Sequence, residues 1–347
     1  MRSETKKIKI GGIEIGGGAP VAVQSMTITD TRDAEATIAQ IKRLEAAGCE
    51  IIRCAVLDTA AAKALAEIKR NISIPLVADI HYDYRLALEA VNSGVDKLRI
   101  NPGNTPHEHL REIVSAATDR NIPIRVGINS GSLEKDILKR FGRTPEGLCE
   151  SALRSVSRLE AMNFTDIAIS IKSANPAETY TGYKLLAERT SYPLHLGVTE
   201  AGGAYAGGIN SAVAIGGLLL AGIGDTIRVS LTADPEEEVR CAKQILTAAG
   251  LRSFGATVIS CPTCGRTQVD LIPLAARVEK YAETLRKPIK VAVMGCSVNG
   301  LGEAAGADIG IACGKGEGVI FRSGKAIRKV AESELFDELV KEVELMY

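Results

Sequence analysis

Short apolar runs alternate with longer amphipathic segments between residues 21 and 250. The apolar runs are rich in β-branched residues, which is typical of parallel strands buried on both faces, and the amphipathic segments are typical of helices that cross back over such strands. We predict eight strands, at 21–26, 50–56, 75–80, 97–102, 123–129, 166–172, 193–199 and 226–232. Eight strand–helix units are the number that closes a TIM (β/α)8 barrel.

The pattern changes near Ser253, where we predict a second, compact α/β domain. Its predicted strands are 257–261, 289–294, 308–312 and 318–321, with a helix at 271–285 and a terminal helix from Glu332. We therefore divide the α/β chain into a TIM barrel at 1–252 and a small α/β domain at 253–347. Ahead of the barrel strands, segment 7–15 is predicted to form a hairpin that closes the lower end of the barrel.

The amino-acid composition argues against some classes of binding partner. The 347 residues carry 42 basic and 42 acidic side chains, no Trp and 4% aromatics, so we expect no nucleic-acid partner. The sequence shows no signal peptide and no uninterrupted apolar run of about 18 residues, so we expect a cytoplasmic protein without a membrane partner. Eight dispersed cysteines fit a reducing compartment.

Three cysteines and one glutamate form a candidate metal site. Cys261 and Cys264 belong to a Cys-Pro-Thr-Cys motif, and Cys296 and Glu303 follow. Three thiolates hold iron firmly, whereas a carboxylate oxygen binds cluster iron weakly and could yield to a substrate oxygen. The set therefore suits an iron-sulfur cluster with one labile position. The same cysteines, completed by Cys313, also suit a structural zinc site, and spacing alone does not choose between the metals.

Five basic residues are predicted near the carboxyl ends of the barrel strands, the reactive face of such barrels. They are Arg53, Arg99, Arg125, Lys172 and Arg228. An unpaired buried cation costs several kcal/mol, so each needs a carboxylate or a bound anion. Internal ion pairs with Asp79, Glu200 and Asp225 are one reading, but these acids are too few for five cations. A phosphate ester or diphosphate would balance the charge.

Neutral and titratable side chains near the same strand ends could orient such a ligand. Asn129, Thr199 and Ser230 are candidate hydrogen-bonding partners, and His81 is another. Glu200, beside Thr199 in a basic environment, is the best candidate for a general acid or base, although it could instead hold an arginine.

The chain resembles the bacterial two-domain 4-hydroxy-3-methylbut-2-enyl diphosphate synthases of the methylerythritol phosphate route to isoprenoids. The resemblance runs almost end to end. It rests on VQSMT (23–27), ADIH (78–81), LRINPGN (98–104), RVGINSGSL (125–133), LGVTEAG (196–202), GDTIRVSLT (224–232), ISCPTCGRT (259–267) and VMGCSVNGLGE (293–303).

The resemblance implies a barrel joined to a 4Fe-4S cluster domain with Cys261, Cys264, Cys296 and Glu303 as ligands. It implies reduction of 2-C-methyl-D-erythritol 2,4-cyclodiphosphate with ring opening and loss of water. The five cations, with Asp79, His81, Asn129, Thr199 and Ser230, would bind this substrate, Glu303 would yield its place on iron, and Glu200 would manage a proton. Flavodoxin or ferredoxin would donate electrons to a homodimer in which the cluster domain of one chain covers the barrel mouth of its partner.

Two other functions stay open on the residues alone. One is a zinc-dependent barrel enzyme acting on a phosphorylated substrate, and the other is a non-catalytic iron-sulfur electron carrier fused to a ligand-binding barrel. Metal analysis separates the first from the iron-sulfur enzyme, and turnover separates the second.

Overall fold

The computed structural model describes residues 4–81, 83–296, 302, 304 and 306–346. The chain divides into two compact units, Met1–Arg252 and Ser253–Tyr347. The first unit begins with β1 (Ile8–Ile10) and β2 (Ile13–Ile15). Eight parallel strands follow, β3 (Ala22–Met26), β4 (Ile51–Val56), β5 (Leu76–Ile80), β6 (Lys97–Ile100), β7 (Ile124–Asn129), β8 (Ile167–Lys172), β9 (His195–Leu196) and β10 (Thr226–Ile227).

Helices connect these strands. They are α1 (Ala34–Ala47), α2 (Thr59–Arg70), α3 (Tyr84–Asn92), α4 (His107–Asp119), α5 (Lys135–Phe141), α6 (Pro145–Glu160), α7 (Pro176–Ala187), α8 (Ala204–Ser211), α9 (Gly217–Leu220) and α10 (Pro235–Ala248). A π-helical segment, Ala212–Gly216, joins α8 to α9. Among the described residues, none of the helices combines the length and the apolar character that crossing a membrane requires.

The strands run in the order β8-β7-β6-β5-β4-β3-β10-β9, and a parallel bridge between Ile169 and Leu194 brings the two ends of the sheet together. The predicted TIM barrel is therefore confirmed. The first six strands end within two residues of their predicted ends, but β9 and β10 are only two residues long. The backbone at Glu200 has a φ of 54°, which is outside the extended region, so the chain turns away soon after β9.

The N-terminal hairpin packs against the amino-terminal ends of the barrel strands. Ile8, Ile10 and Ile15 form one buried cluster with Ala22, Ile51, Val77 and Ala168. Ala22 and Ile51 are the first residues of their strands, so this apolar cluster lies at the end opposite to the carboxyl ends. The predicted position of the hairpin is thus confirmed, and the carboxyl ends are left for polar side chains.

The second unit is a five-stranded sheet with helices. Its elements are β11 (Thr257–Ser260), α11 (Leu271–Ala282), β12 (Lys290–Met294), β13 (Ile309–Cys313), β14 (Glu317–Arg322), β15 (Lys325–Ala331) and a C-terminal helix (Leu335–Glu344). The first three strands are parallel, and the last two add antiparallel pairs. Sequence analysis missed β15 because this edge strand is exposed along nearly its whole length and has no apolar run. The terminal helix begins at Leu335, three residues later than predicted, after a 3-10 turn.

Candidate functional site

The five predicted cations come together inside the barrel. Arg53, Arg99, Arg125 and Lys172 lie within β4, β6, β7 and β8 and are each at most 9% exposed, while Arg228 directly follows β10. The four arginines lie in or directly after different strands around the barrel, yet the charge of each contributes to lowering the pKa of Lys172, so their guanidinium groups lie near its ammonium group. Alternate residues of a strand point to the same side, so cations at inward positions of separate strands meet in the interior.

One buried carboxylate serves two of these cations. Asp79 in β5 accepts a hydrogen bond from Arg99 Nη1 at 3.2 Å and lies 3.8 Å from Arg53 Nε. Burial acts to raise the pKa of Asp79, but the charge of Arg53 and hydrogen bonding from His81 outweigh it and hold the pKa well below its usual range. Asp79 is therefore ionised and orients Arg53 and Arg99.

A second buried carboxylate, which sequence analysis missed, contacts Arg228. Glu238 in α10 lies 3.4 Å from Arg228 Nη2 through Oε1. Asp225, by contrast, precedes β10 and accepts a hydrogen bond from Leu194 N at 2.8 Å, just ahead of β9. The alternative reading, in which Asp225 pairs internally with these cations, has no support from its position, because the residue lies at the amino-terminal end of its strand.

Positive charge exceeds negative charge in this interior. Within the described part of the chain, Asp79 pairs with Arg53 and Arg99, and Glu238 pairs with Arg228. Arg125 has no ion pair there, and Lys172 Nζ has neither a hydrogen bond nor an ion pair. Burial, followed by repulsion from Arg228 and Arg53, lowers the pKa of Lys172 well below its usual value. Such a group needs an anion to stay charged, so the arrangement favours binding of a multiply charged anion.

Two glycines make room for the cations. A side chain at Gly127 in β7 would place its Cβ 2.3 Å from Arg99 Nε, and Gly127 O accepts a hydrogen bond from Arg99 Nη2 at 3.1 Å. A Cβ at Gly197, after β9, would lie 2.7 Å from Lys172 Nζ. Each glycine therefore leaves space that a long basic side chain occupies.

A cavity of about 290 Å³ lies at the carboxyl ends of the strands. It is lined by five predicted site residues, His81, Arg99, Asn129, Thr199 and Glu200. The left-handed backbone at Glu200 is unusual for a residue with a side chain and is often found at functional sites.

The predicted site residues do not all line this cavity. Arg125 is the second residue of β7 and donates to Ser170 Oγ at 2.6 Å, so it lies deeper than the rim where we predicted it. Arg53, Lys172, Arg228 and Ser230 are also not part of the cavity wall. Ser230 is half-buried in the segment after β10.

A polar layer lies below these cations, and its Lys97 was not among the predicted site residues. Lys97 is fully buried two residues before Arg99, and its Nζ donates to Gln24 Oε1 at 3.3 Å. His195 is fully buried and its Nδ1 lies 2.8 Å from Thr226 Oγ1. The signal for Lys97 was available, because a strand residue two positions from an inward arginine faces inward too.

The cysteines of the second unit lie in segments that follow strands. Cys261 directly follows β11, and its Sγ accepts a hydrogen bond from Gly295 N at 3.1 Å. Hydrogen bonds from the backbone and side chain of Arg266 lower the pKa of Cys264, which is exposed. Cys296 is half-buried after β12. Among the described residues, no three potential metal ligands are close enough to hold one ion, and Glu303 lies outside those residues.

Two of these thiols have surroundings that favour the thiolate, the form that binds iron. Cys261 Sγ accepts a hydrogen bond from the Gly295 amide, and hydrogen bonds from Arg266 lower the pKa of Cys264. Cys313 differs, because it is buried in the apolar core of this unit, and burial raises its pKa to about 12. Cys261, Cys264 and Cys296 are therefore the candidate ligands of an iron-sulfur cluster by residue type and position, and Cys313 packs in the apolar core.

The chain is therefore a two-domain barrel protein. Its barrel has a cation-rich candidate anion site, and its α/β domain has three accessible thiols that form a candidate metal site. The family model described as the GcpE TIM-barrel domain matches residues 5–243, and that of the GcpE protein C-terminal domain matches 257–345. The chain belongs to the GcpE family.

Relatives cover the whole chain. Proteins named 4-hydroxy-3-methylbut-2-en-1-yl diphosphate synthase (flavodoxin) are 57% identical in Ruminiclostridium cellulolyticum, over 99% of this chain and 98% of the relative, and 58% identical in Caldanaerobacter subterraneus, over 100% and 98%. The relative in Clostridium acetobutylicum is 57% identical over 100% of both chains.

Solved structures with low sequence identity share the barrel fold. A dihydropteroate synthase from Stenotrophomonas maltophilia superposes with a TM-score of 0.51 at 11% identity, over 72% of this chain and 100% of that chain. A type I 3-dehydroquinate dehydratase from Clostridium difficile gives a TM-score of 0.51 at 16% identity, over 71% and 98%. These similarities show the fold alone.

Proposed function

We propose that this protein is an oxidoreductase of isoprenoid biosynthesis that converts 2-C-methyl-D-erythritol 2,4-cyclodiphosphate to 4-hydroxy-3-methylbut-2-enyl diphosphate. The reaction consumes two electrons and two protons, opens the ring and releases water. The observation that carries the proposal is the excess of buried positive charge at the carboxyl ends of the barrel strands, which a cyclic diphosphate would balance. The names of the full-length relatives support the same reaction.

In this proposal the barrel binds and orients the substrate. Arg53, Arg99, Lys172 and Arg228 hold the diphosphate oxygens, and Arg125 adds positive charge from below. Asp79 and His81 keep Arg99 in place. Arg99 Nη1 lies 3.2 Å from Asp79 Oδ1 and 3.1 Å from His81 Nε2, and His81 Nε2 lies 3.4 Å from Asp79 Oδ2. Preorganised cations also stabilise the phosphate oxygen that is released when the ring opens.

The neutral and acidic side chains near the cavity orient the rest of the substrate. Asn129 and Thr199 line the cavity with Glu200, and Ser230 adds a hydroxyl from the segment after β10. Glu200 holds the proton that is delivered to the leaving hydroxyl.

A 4Fe-4S cluster bound by Cys261, Cys264, Cys296 and Glu303 would supply the electrons and a Lewis-acidic iron. Gly295 N and the Arg266 backbone would stabilise sulfur charge at Cys261 and Cys264. Glu303 is proposed as the ligand that yields to substrate. We further propose that flavodoxin donates the electrons, as the relatives' names indicate, with ferredoxin as an alternative donor, and that the protein is cytoplasmic.

We also propose a homodimer, in which the second unit of one chain covers the barrel of its partner. An apolar helical surface in the barrel unit supports self-association. Tyr205, Ile209, Val213 and Leu220, all on the α8–α9 segment, are exposed. No charged residue occurs between Glu200 and Asp225, and uncharged exposed patches of this kind are typical of protein interfaces.

Anaerobic purification and assay test the proposed function. The protein should be brown with about four irons per chain, and should reduce the cyclic diphosphate with a chemical reductant. Stoichiometric zinc without iron would support the zinc-dependent alternative. Bound iron without turnover would support the electron-carrier alternative. Glu303→Cys should retain iron but lose most activity, because a fourth thiolate does not yield to an oxygen ligand.

A further inference from the structure

The VQSMT segment of β3 has no role in the proposed function, yet it contacts the cations of the barrel. Met26 Sδ accepts from Arg53 Nη2 at 2.8 Å and lies 3.6 Å from Arg228 Nη1. Ser25 Oγ donates to Glu238 Oε2 at 3.2 Å. Two adjacent residues of β3 therefore lie next to Arg228. Met26 contacts its guanidinium group directly, and Ser25 contacts the carboxylate that pairs with it.

Glu238 joins three parts of the barrel through one carboxylate. Besides Ser25 in β3, it accepts a hydrogen bond from Leu231 N at 2.9 Å, in the segment that carries Ser230. Its third partner is Arg228 Nη2, at 3.4 and 3.5 Å from the two oxygens. Glu238 is only 5% exposed, and it lies in the first turn of α10, where the helix dipole favours a negative charge.

The two contacts of Arg228 have different consequences for its charge. The thioether of Met26 is a weak, neutral acceptor and leaves the guanidinium charge uncompensated. Glu238 is thus the carboxylate that fixes the direction of Arg228, and its two distances are longer than those of a short bidentate pair. Arg228 Nε is buried without a partner among the described residues, so the guanidinium keeps donor capacity for a ligand.

We propose that Glu238 is a positioning residue that orients Arg228, and with it the segment carrying Ser230, for binding of the diphosphate. This inference rests on the proposed function and adds to it a residue outside every segment that carries the family resemblance. Glu238 acts through Arg228 and does not touch the substrate.

The test compares substrate binding in single and double variants. The full-length protein with its cluster is titrated calorimetrically with the cyclic diphosphate in the absence of reductant, so that no turnover occurs. Glu238→Gln is expected to weaken binding about fivefold, because a neutral amide holds a guanidinium less firmly than a carboxylate. Removing a negative charge would by itself attract an anion, so tighter binding or unchanged binding overturns the proposal.

A double-mutant cycle separates positioning from a general structural effect. Arg228→Ala should weaken binding about thirtyfold, and adding Glu238→Gln to it should cause no further loss, because the interaction has already been removed. An equal fivefold loss in both backgrounds would overturn the proposal. In steady-state assays Glu238→Gln should raise KM while kcat changes less than about twofold. The control is Glu237→Gln, a half-buried neighbour paired with Arg240, which should bind like the wild type.

Two further measurements distinguish a failure of this inference from a failure of the proposed function. If Glu238→Gln does not fold, Arg228→Lys tests the same geometry, because an ammonium group is too compact to contact both Glu238 and the ligand. Near-wild-type binding by Arg228→Lys would contradict the proposal. If the wild type neither binds nor reduces the cyclic diphosphate, the proposed function and this inference both fail. If the wild type does both and Glu238→Gln is indistinguishable from it, only the inference fails.

Discussion

The basic residues of the barrel and the cysteines of the second unit are positioned by different means. Arg53, Arg99 and Lys172 lie within strands, so the strand register holds them in place without a ligand, and buried Asp79 also orients the two arginines. Cys261, Cys264 and Cys296 follow strands and are half-buried or exposed. Thiols in such segments are gathered by the metal they bind. The proposed anion site is therefore largely preformed, whereas the proposed cluster site would be completed by its cofactor.

The largest expected effect comes from removing a thiol. Cys264→Ser should lose its iron and reduce turnover by at least about a thousandfold, because the cofactor supplies the electrons. Binding of the cyclic diphosphate without reductant should persist, since the barrel cations are in place without the cluster, and only the contribution of the contact with iron should be lost. Iron analysis and calorimetry check the two statements. Cys313→Ala is the matched control and should retain iron; loss of metal from this variant would indicate the zinc arrangement instead.

Removing a barrel cation should have the opposite pattern. Lys172→Ala or Arg228→Ala should weaken binding of the cyclic diphosphate by about ten- to a hundredfold, through loss of a charge-assisted hydrogen bond in a buried site. The visible spectrum should not change, because the proposed cluster ligands lie in the other unit. Unchanged kinetics would exclude the substituted residue from the site, and a changed spectrum would show that the two sites are not independent.

The preformed barrel site should also reduce the stability of the ligand-free protein. Lys172→Met replaces a buried cation that has no partner within the described residues by an apolar side chain of similar length. The free energy of unfolding should rise by about 1–3 kcal/mol, measured by urea denaturation without substrate. Lys42→Met, at an exposed position of α1, is the control and should change stability little. A destabilised Lys172→Met protein would indicate that Lys172 already has a compensating partner.

The smallest expected effect is proton uptake on binding. Burial and neighbouring cations lower the pKa of Lys172 in the free protein, and a bound diphosphate would raise it again. Between those two pKa values binding takes up a proton, so affinity should fall as the pH rises through that window. Calorimetry in buffers of different protonation enthalpy measures the uptake. Lys172→Arg should abolish it, because arginine stays charged; persistent uptake would assign the proton to another group.

Sequence patterns predicted the barrel more completely than the second unit. Apolar runs predict the buried strands, and the glycine-containing turns between them mark where one strand–helix unit ends and the next begins. Edge strand β15 carries no such signal, because both its faces are exposed. The carboxylate partners were harder to predict. Asp225 and Glu238 are both acidic residues near β10, and only their positions along the fold show that Glu238 contacts Arg228 while Asp225 lies at the far end of the strand.

The sequence by itself determined the number of barrel units, the inventory of basic side chains and the spacing of the thiols, because these depend on local periodicity and residue type. The tertiary structure decided which carboxylates bind which cations, how deep Arg125 lies, and that Gly127 and Gly197 leave room for Arg99 and Lys172. Those features depend on strand register and on helices that are distant in sequence. Such long-range contacts have no signature in any short segment of the chain.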